Sequence, residues 1–361
     1  MRSQHAGMSG DPGLSRALPL IGAGRVLLAV VAALLGLGLG LSCACAAPQS
    51  SLPGPSASAS GASVSSTPRA GAAASATAVA AGPASGATAA PEANAVPGVP
   101  AGAESCGELG CLLFATPADA FGYVVAQKPL VLALGESHAQ KGAEAVASCT
   151  KHFTTELLPL LKDRASDLVV ELWVADGKCG KVETQVAEQQ KPVTQHQAAT
   201  NQNEFVTLGT RAKELGIRPL PLRPSCEEYE RIAKAGPSDV AEMLMMIARH
   251  TEADIRRLLT ARAADAEPKM IVAYGGAMHN DLYPTEERKA WSFGPALSAA
   301  TTGRYVELDL VVPELIGESD TWKSFVWYPH FDPKAHPTKT TLFRPRPGSY
   351  VLIFPRGKPS N

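Results

Sequence analysis

The sequence predicts an α/β domain, with a mostly parallel sheet and helices on both faces, behind an N-terminal tether. Three observations predict it. Apolar runs of buried-strand length recur, at Leu130–Leu134, Leu168–Trp173 and Met270–Tyr274. Segments with helical spacing separate them, and that alternation implies parallel strands covered on both sides. Two of the runs also lead into the same phrase, Gly-x-x-His: Gly135-Glu136-Ser137-His138 and Gly276-Ala277-Met278-His279. In an open α/β sheet, ligands bind in the loops after the strands' carboxyl ends.

The chain has 361 residues and a net charge of −1. Residues 1–46 read as a secretory signal. Arg2, Arg16 and Arg25 precede an apolar run from Val26 to Leu41, and Ala44-Cys45-Ala46 closes it. The run is short for a membrane span, which needs roughly 20 residues. Its flanks leave two fates open, cleavage or retention as an anchor. Leu39-Gly40-Leu41-Ser42 before Cys43 resembles a bacterial lipoprotein signal, with Leu41 one place too close to the cysteine. Lipid attachment and ordinary cleavage near Ala46 both remain open on this reading.

Residues 47–104 consist almost wholly of Ala, Ser, Gly, Pro, Thr and Val, with Arg69, Glu92 and Glu104 as their charges. Such a segment buries too little apolar area to offset its ordering entropy, and it reads as a low-complexity linker. Residues 105–361 remain as a single domain. The expected setting is extracytoplasmic, secreted or tethered at a bacterial envelope. No basic block interleaves with aromatic residues, which argues against nucleic acid as a partner.

The elements follow in order. Pro117 to Gln127 reads as a helix with Pro at its first turn. Residues 140–162 carry Val146, Phe153, Leu157 and Leu161 roughly at helical spacing, with Pro159 placed to kink or end the helix. Residues 174–200 are polar, contain Gly177 and Gly180, and read as a surface excursion. Asn203–Leu215 reads as a helix closed by Gly216, and Ile217–Leu222 as a strand. Glu227–Ala235 is a short helix. Asp239-x-x-Glu242 and Thr251-x-x-Asp254 read as caps of two successive helices. The Met243–Met246 cluster reads as packing rather than a cofactor box. Pro295–Ala300 is a short helix. Tyr305–Val311 is a strand with Glu307 and Asp309 on one face. Ser349–Phe354 is the last strand, and Thr341–Phe343 a weaker one.

The domain contains Cys106, Cys111, Cys149, Cys179 and Cys226. Export permits their oxidation. Cys106 and Cys111 lie close enough to clip a loop. Cys149 and Cys179 are placed to staple neighbouring elements, which leaves Cys226 as the odd thiol. Spacing alone does not fix the connectivity.

Strand ends gather the chemistry. Glu136 and His138 follow the first strand, Glu171 lies near the end of the second, Arg223 follows the third, and His279 follows the fourth. A parallel sheet places these ends on one edge. His138 and His279 suit acid, base or ligand roles. Glu136 and Glu171 suit water activation or the orientation of a histidine. Arg223 suits an oxyanion or a carboxylate. Glu171 within an apolar run is costly to bury without a partner, which favours a functional role. The alternative for each histidine is a loop cap, and for Arg223 a simple Arg-Pro turn. Trp327-Tyr328-Pro329-His330-Phe331 reads as a packed surface loop rather than a lid. No G-x-S-x-G, H-E-x-x-H or P-loop occurs.

Together, Gly135-Glu136-Ser137-His138, Glu171 and Gly276-Ala277-Met278-His279 resemble the superfamily of ChaN haem-binding lipoproteins, Tiki and TraB proteins and erythromycin esterases. The resemblance spans residues 128–310. The one-residue gap between Glu136 and His138 is most similar to the ChaN group. The resemblance implies haem or a divalent metal ion, with His138 and His279 as cofactor ligands and Glu136 and Glu171 as further metal ligands. Its other branch implies a hydrolase in which a glutamate or histidine among Glu136, His138, Glu171 and His279 activates water, and His279 or Arg223 stabilises the oxyanion. An inert envelope module binding a small-molecule ligand is the third reading.

Overall fold

A computed structural model describes residues 99–357. The signal segment over 1–46 and the linker up to residue 98 lie outside the described residues. Nine strands form one sheet: β1 (Ala103–Ser105), β2 (Leu112–Phe114), β3 (Val131–Glu136), β4 (Ala165–Trp173), β5 (Arg218–Leu222), β6 (Met270–Gly276), β7 (Tyr305–Val311), β8 (Thr340–Arg346) and β9 (Ser349–Ile353). Their spatial order is β1-β2-β8-β9-β7-β3-β6-β4-β5. The run from β9 to β5 is parallel throughout. β8, β2 and β1 continue the sheet antiparallel at the other end.

The helices are α1 (Pro117–Val125), α2 (Cys149–His152), α3 (Lys181–Thr194), α4 (Asn201–Glu214), α5 (Cys226–Lys234), α6 (Asp239–Ala261), α7 (Gly294–Ala300) and α8 (Asp320–Lys323). Both faces of the sheet are covered, and β3 shows how. Its six residues are all buried. Leu132 and Leu134 pack on one face with Phe121 of α1, Phe153 and Phe205 of α4. Val131 and Ala133 pack on the other with Tyr229 of α5, Met246 and Ile255 of α6, and Leu297 of α7. A strand buried on both sides reads as an unbroken apolar run, as its sequence does. At the far edge, β5 carries Pro219 and Pro221, which withhold the donors another strand would need.

Several expectations need correction. Residues 140–162 do not form one helix. Gln140 makes an isolated bridge to Gln197, and α2 begins only after Ser148, whose side chain caps it. A wide turn over Phe153–Leu157 and a 3₁₀ turn over Leu158–Leu161 then take up the strain of Pro159. The polar excursion over 174–200 holds the 14-residue α3. Val186 is its one fully buried position, so it lacks the wide apolar stripe that marks a helix in sequence. The two helices expected from 239 onward are one, because Thr251 is buried in mid-helix rather than capping a start. β1 starts at Ala103, inside the segment that reads as linker up to residue 104.

Cys106 and Cys111 are bonded, as their spacing suggests. The second disulfide joins Cys179 to Cys226, and Cys149 is the free thiol, fully buried. Cys179 precedes α3 and Cys226 opens α5, and those helices pack together. Cys149 sits on the opposite face, where its Sγ contacts the Leu310 carbonyl. Two disulfides suit an oxidising compartment. Among the described residues, no helix is long and apolar enough to cross a membrane.

Candidate active site

The paired strands β3 and β6 bring the two Gly-x-x-His phrases together. Their register sets Gly135 beside Gly275 and Glu136 beside Gly276. β7 flanks β3 and places Asp309 opposite Gly135. β4 flanks β6 and brings Glu171 to the same edge. Close packing at this edge depends on glycine. A Cβ on Gly135 would lie 2.4 Å from Asp309 Oδ1 and 2.7 Å from the Ala277 Cα. A Cβ on Gly275 would lie 2.4 Å from Glu171 Oε2 and 2.9 Å from Glu171 Cβ.

His138 Nδ1 donates to Glu136 Oε1 at 2.7 Å, which fixes the ring and turns Nε2 toward Glu171. His279 Nδ1 donates to the Trp291 carbonyl at 2.7 Å, which turns its Nε2 toward the same carboxylate. Glu171 Oε2 accepts the Gly276 backbone N–H at 2.7 Å. Its Oε1 lies 4.0 Å from His138 Nε2 and 3.7 Å from His279 Nε2. Those separations are too long for direct hydrogen bonds and suit a bridging water or a substrate atom.

Burial alone pulls the His138 pKa down. The Glu136 hydrogen bond, with the charges of Glu136 and Glu171, overrides it and lifts the group to about 9. Glu136 is buried, and its Oε2 has no hydrogen-bond partner among the described residues. Asp309 accepts from the Asn280 amide at 3.0 Å, and Glu307 accepts the Leu282 N–H at 2.8 Å. Burial pushes both of these carboxyls upward, and for Glu307 the neighbouring Asp309 charge adds to it.

The cluster forms the floor of a cavity of about 360 Å³. This lies within the size range of small-molecule sites, roughly 300–1,000 Å³. One wall comes from α6, with Val240, Met243, Leu244 and Ile247. A second comes from α3 and the start of α4, with Gln190, Thr194, Asn201 and Gln202. The third comes from the 321–327 segment, with Trp322, Phe325 and Trp327.

The structure thus gathers Glu136, His138, Glu171 and His279 in one cavity. Arg223 stands apart. It is exposed and lies outside the cavity lining, since its strand ends at the outer edge of the sheet. Glu144 is also exposed, and its carboxylate accepts the Gly142 N–H. His330 and His336 are exposed. Asp309 belongs to the floor and was overlooked, although its place near the carboxyl end of a predicted strand carried the signal. Trp327–Phe331 reads in sequence as a packed surface loop and residues 321–326 carry no signal, yet Trp327 is buried and Trp322 and Phe325 face the cavity.

Comparison with family models, with curated proteins and with solved structures finds no match to this chain.

Proposed function

We propose that this cavity is the active site of a hydrolase acting on a small ester- or amide-bearing substrate. One observation carries the reading: two imidazole Nε2 atoms approach a single oxygen of Glu171 at water-bridging distance. A water there donates one hydrogen to Glu171 Oε1 and the other to His279 Nε2, whose opposite nitrogen is committed to the Trp291 carbonyl. Glu171 removes the proton as the water oxygen attacks the carbonyl carbon. His138, held in orientation by Glu136, gives its Nε2 proton to the leaving alcohol or amine as the bond breaks. The proton on Glu171 then passes to solvent, and His138 is reprotonated from it. General acid–base pairs of this kind contribute about 10²–10⁴-fold to rate.

A cofactor-binding reading has its own support. Each imidazole engages its second nitrogen with a carboxylate or carbonyl, as metal-ligating histidines do. The donor types of His138, His279 and Glu171 suit a divalent metal ion acting as a Lewis acid. Their spacing is wider than a tetrahedral shell, however. A tetrahedral shell with bonds near 2.1 Å has edges of about 3.4 Å, shorter than both separations from Glu171. Among the described residues, no group of three or more His, Cys, Asp or Glu side chains is arranged to hold a metal. Haem fits less well, because none of the described lining residues is a Lys or Arg that would answer its propionates. We place the protein outside the cytoplasm, tethered through its N-terminal segment, which agrees with its disulfides.

The test is a panel of neutral ester and amide substrates incubated with the full chain, with and without a chelator, beside a haemin titration. The expected result is turnover that survives chelation and is lost in Glu171→Gln and His138→Ala. Absence of turnover across the panel, or turnover indifferent to both substitutions, overturns the reading. A Soret band that depends on His138 and His279 replaces it with haem binding.

A further inference from the structure

We propose that the cavity selects an apolar organic cation, an amine- or ammonium-bearing molecule, and rejects carboxylates and phosphates. The inference rests on the hydrolase reading only for the reacting bond, because the charge and shape of the walls stand independently of any chemistry at the floor.

The lining carries Glu136, Glu171, Glu183 and Asp309, and none of the described lining residues is Lys or Arg. Only imidazoles oppose these carboxylates. His279 has its Nδ1 committed to a backbone carbonyl, and the His138 ring is held by Glu136. Charges at the bottom of a cleft with low-dielectric walls are poorly screened, and the field reaches the mouth. An incoming anion meets that field with only the His138 imidazolium, already paired with Glu136, and no guanidinium or ammonium to receive it.

The walls complete the selection. Trp322 and Phe325 are only half-buried, so aromatic surface is left open to the cavity. Both rings belong to one aromatic group, with Trp322 and Trp327 meeting edge-on at 6.1 Å and Phe325 stacked on Trp327 at 5.9 Å. Aromatic faces attract ammonium groups, most strongly where water is excluded. Facing them, Met243 and Leu244 give an adaptable apolar surface for the body of the ligand. Gln190, Gln197 and Gln202 line the remaining side with neutral hydrogen-bonding groups. A molecule with an apolar body, neutral polar substituents and one positive charge matches all three walls.

Three probes with one shared phenylbutyl body and different head groups test this on the full chain: phenylbutyltrimethylammonium, phenylpentanoate and phenylbutanol. Trp173, Trp322 and Trp327 line the cavity, so intrinsic fluorescence reports occupancy, and calorimetry gives the affinities. The ammonium probe is expected to bind about tenfold more tightly than the carboxylate, the weight of one favourable charge contact. Rising salt should narrow that gap. Phe325→Leu should weaken the ammonium probe several-fold, to roughly the affinity of the alcohol. Salt dependence is read on the unmodified protein, so the inference stays testable if the variant misfolds. Equal or tighter binding of the carboxylate overturns the inference, as does binding of none of the probes. Ammonium preference without turnover of any substrate leaves it standing and removes the hydrolase. Turnover of anionic esters in preference to cationic ones does the reverse.

Discussion

The two Gly-x-x-His loops leave adjacent, parallel strands in matching register, yet they hold their imidazoles in different ways. His138 donates to a buried carboxylate and remains 20% exposed at its side chain. His279 donates to a backbone carbonyl and is only 4% exposed. A carboxylate stabilises the imidazolium it touches, whereas a carbonyl dipole chiefly fixes a tautomer. One local phrase therefore yields a proton donor at one position and an oriented acceptor at the other. The teaching is that the partner of the far nitrogen sets the role of a histidine, and the motif around it does not.

Unequal losses at the two rings would sharpen that comparison. His138→Ala is expected to lower kcat by about 10²–10⁴-fold, the range for removing a general acid. His279→Gln keeps a hydrogen-bonding side chain beside Glu171 and is expected to lower kcat by only about tenfold. Steady-state kinetics on one ester substrate, with circular dichroism to confirm folding, decides it. Equal losses at both positions would erase the division of labour.

The glycines on the paired strands offer a second contrast. In Gly135→Ala the new methyl would meet the Ala277 backbone, which cannot swing aside, and both Asp309 and Asn280. The expected cost is about 1–3 kcal/mol of stability, the range for overpacking. In Gly275→Ala the methyl's three nearest neighbours are all atoms of Glu171, of which the carboxylate swings aside while Cβ at 2.9 Å moves only with its backbone. That clash turns Glu171 away from the Gly276 N–H, and activity should fall further than stability. Urea unfolding and kcat measured on both variants test the pair. A Gly135 variant as stable as the parent would show that the floor can shift.

Much of this was legible in sequence because burial leaves a pattern. The apolar runs of β3, β4 and β6 are buried on both faces, and β7 was bounded at Tyr305–Val311 as observed. The convergence of Glu136, His138, Glu171 and His279 follows from parallel order alone. What could not be read was contributed by surfaces that face the cavity rather than the core. α3 looks polar because one side meets solvent and the other lines the pocket with Glu183, Gln190 and Thr194 beside Ala187 and Val193. The aromatic 321–327 segment has no period, since it is held by tertiary contacts with Phe343 and Val351. Cys226 was misjudged because pairing depends on how α3 and α5 meet, which spacing does not encode. Arg223 ends a strand like the others, but its strand is the last in the sheet.

pH provides the finest test of the difference between the loops, because His138 is raised and its effect on stability has a definite sign. Its folded pKa of about 9 lies above the ordinary histidine value of 6.5. The folded state therefore holds the proton more tightly, and the stabilisation is fully present below about 6.5. It is lost as pH rises through about 9. Glu307 and Asp309 act in the same direction, since a carboxyl raised by burial also favours the protonated, folded state at low pH. Urea midpoints should thus begin to fall at about pH 4, where the two carboxyls start to lose their share, and continue to about pH 9 as His138 adds its own. His138→Ala should flatten part of that slope, and Glu307→Gln another part. A slope that His138→Ala preserves would show that the charged imidazole is not His138.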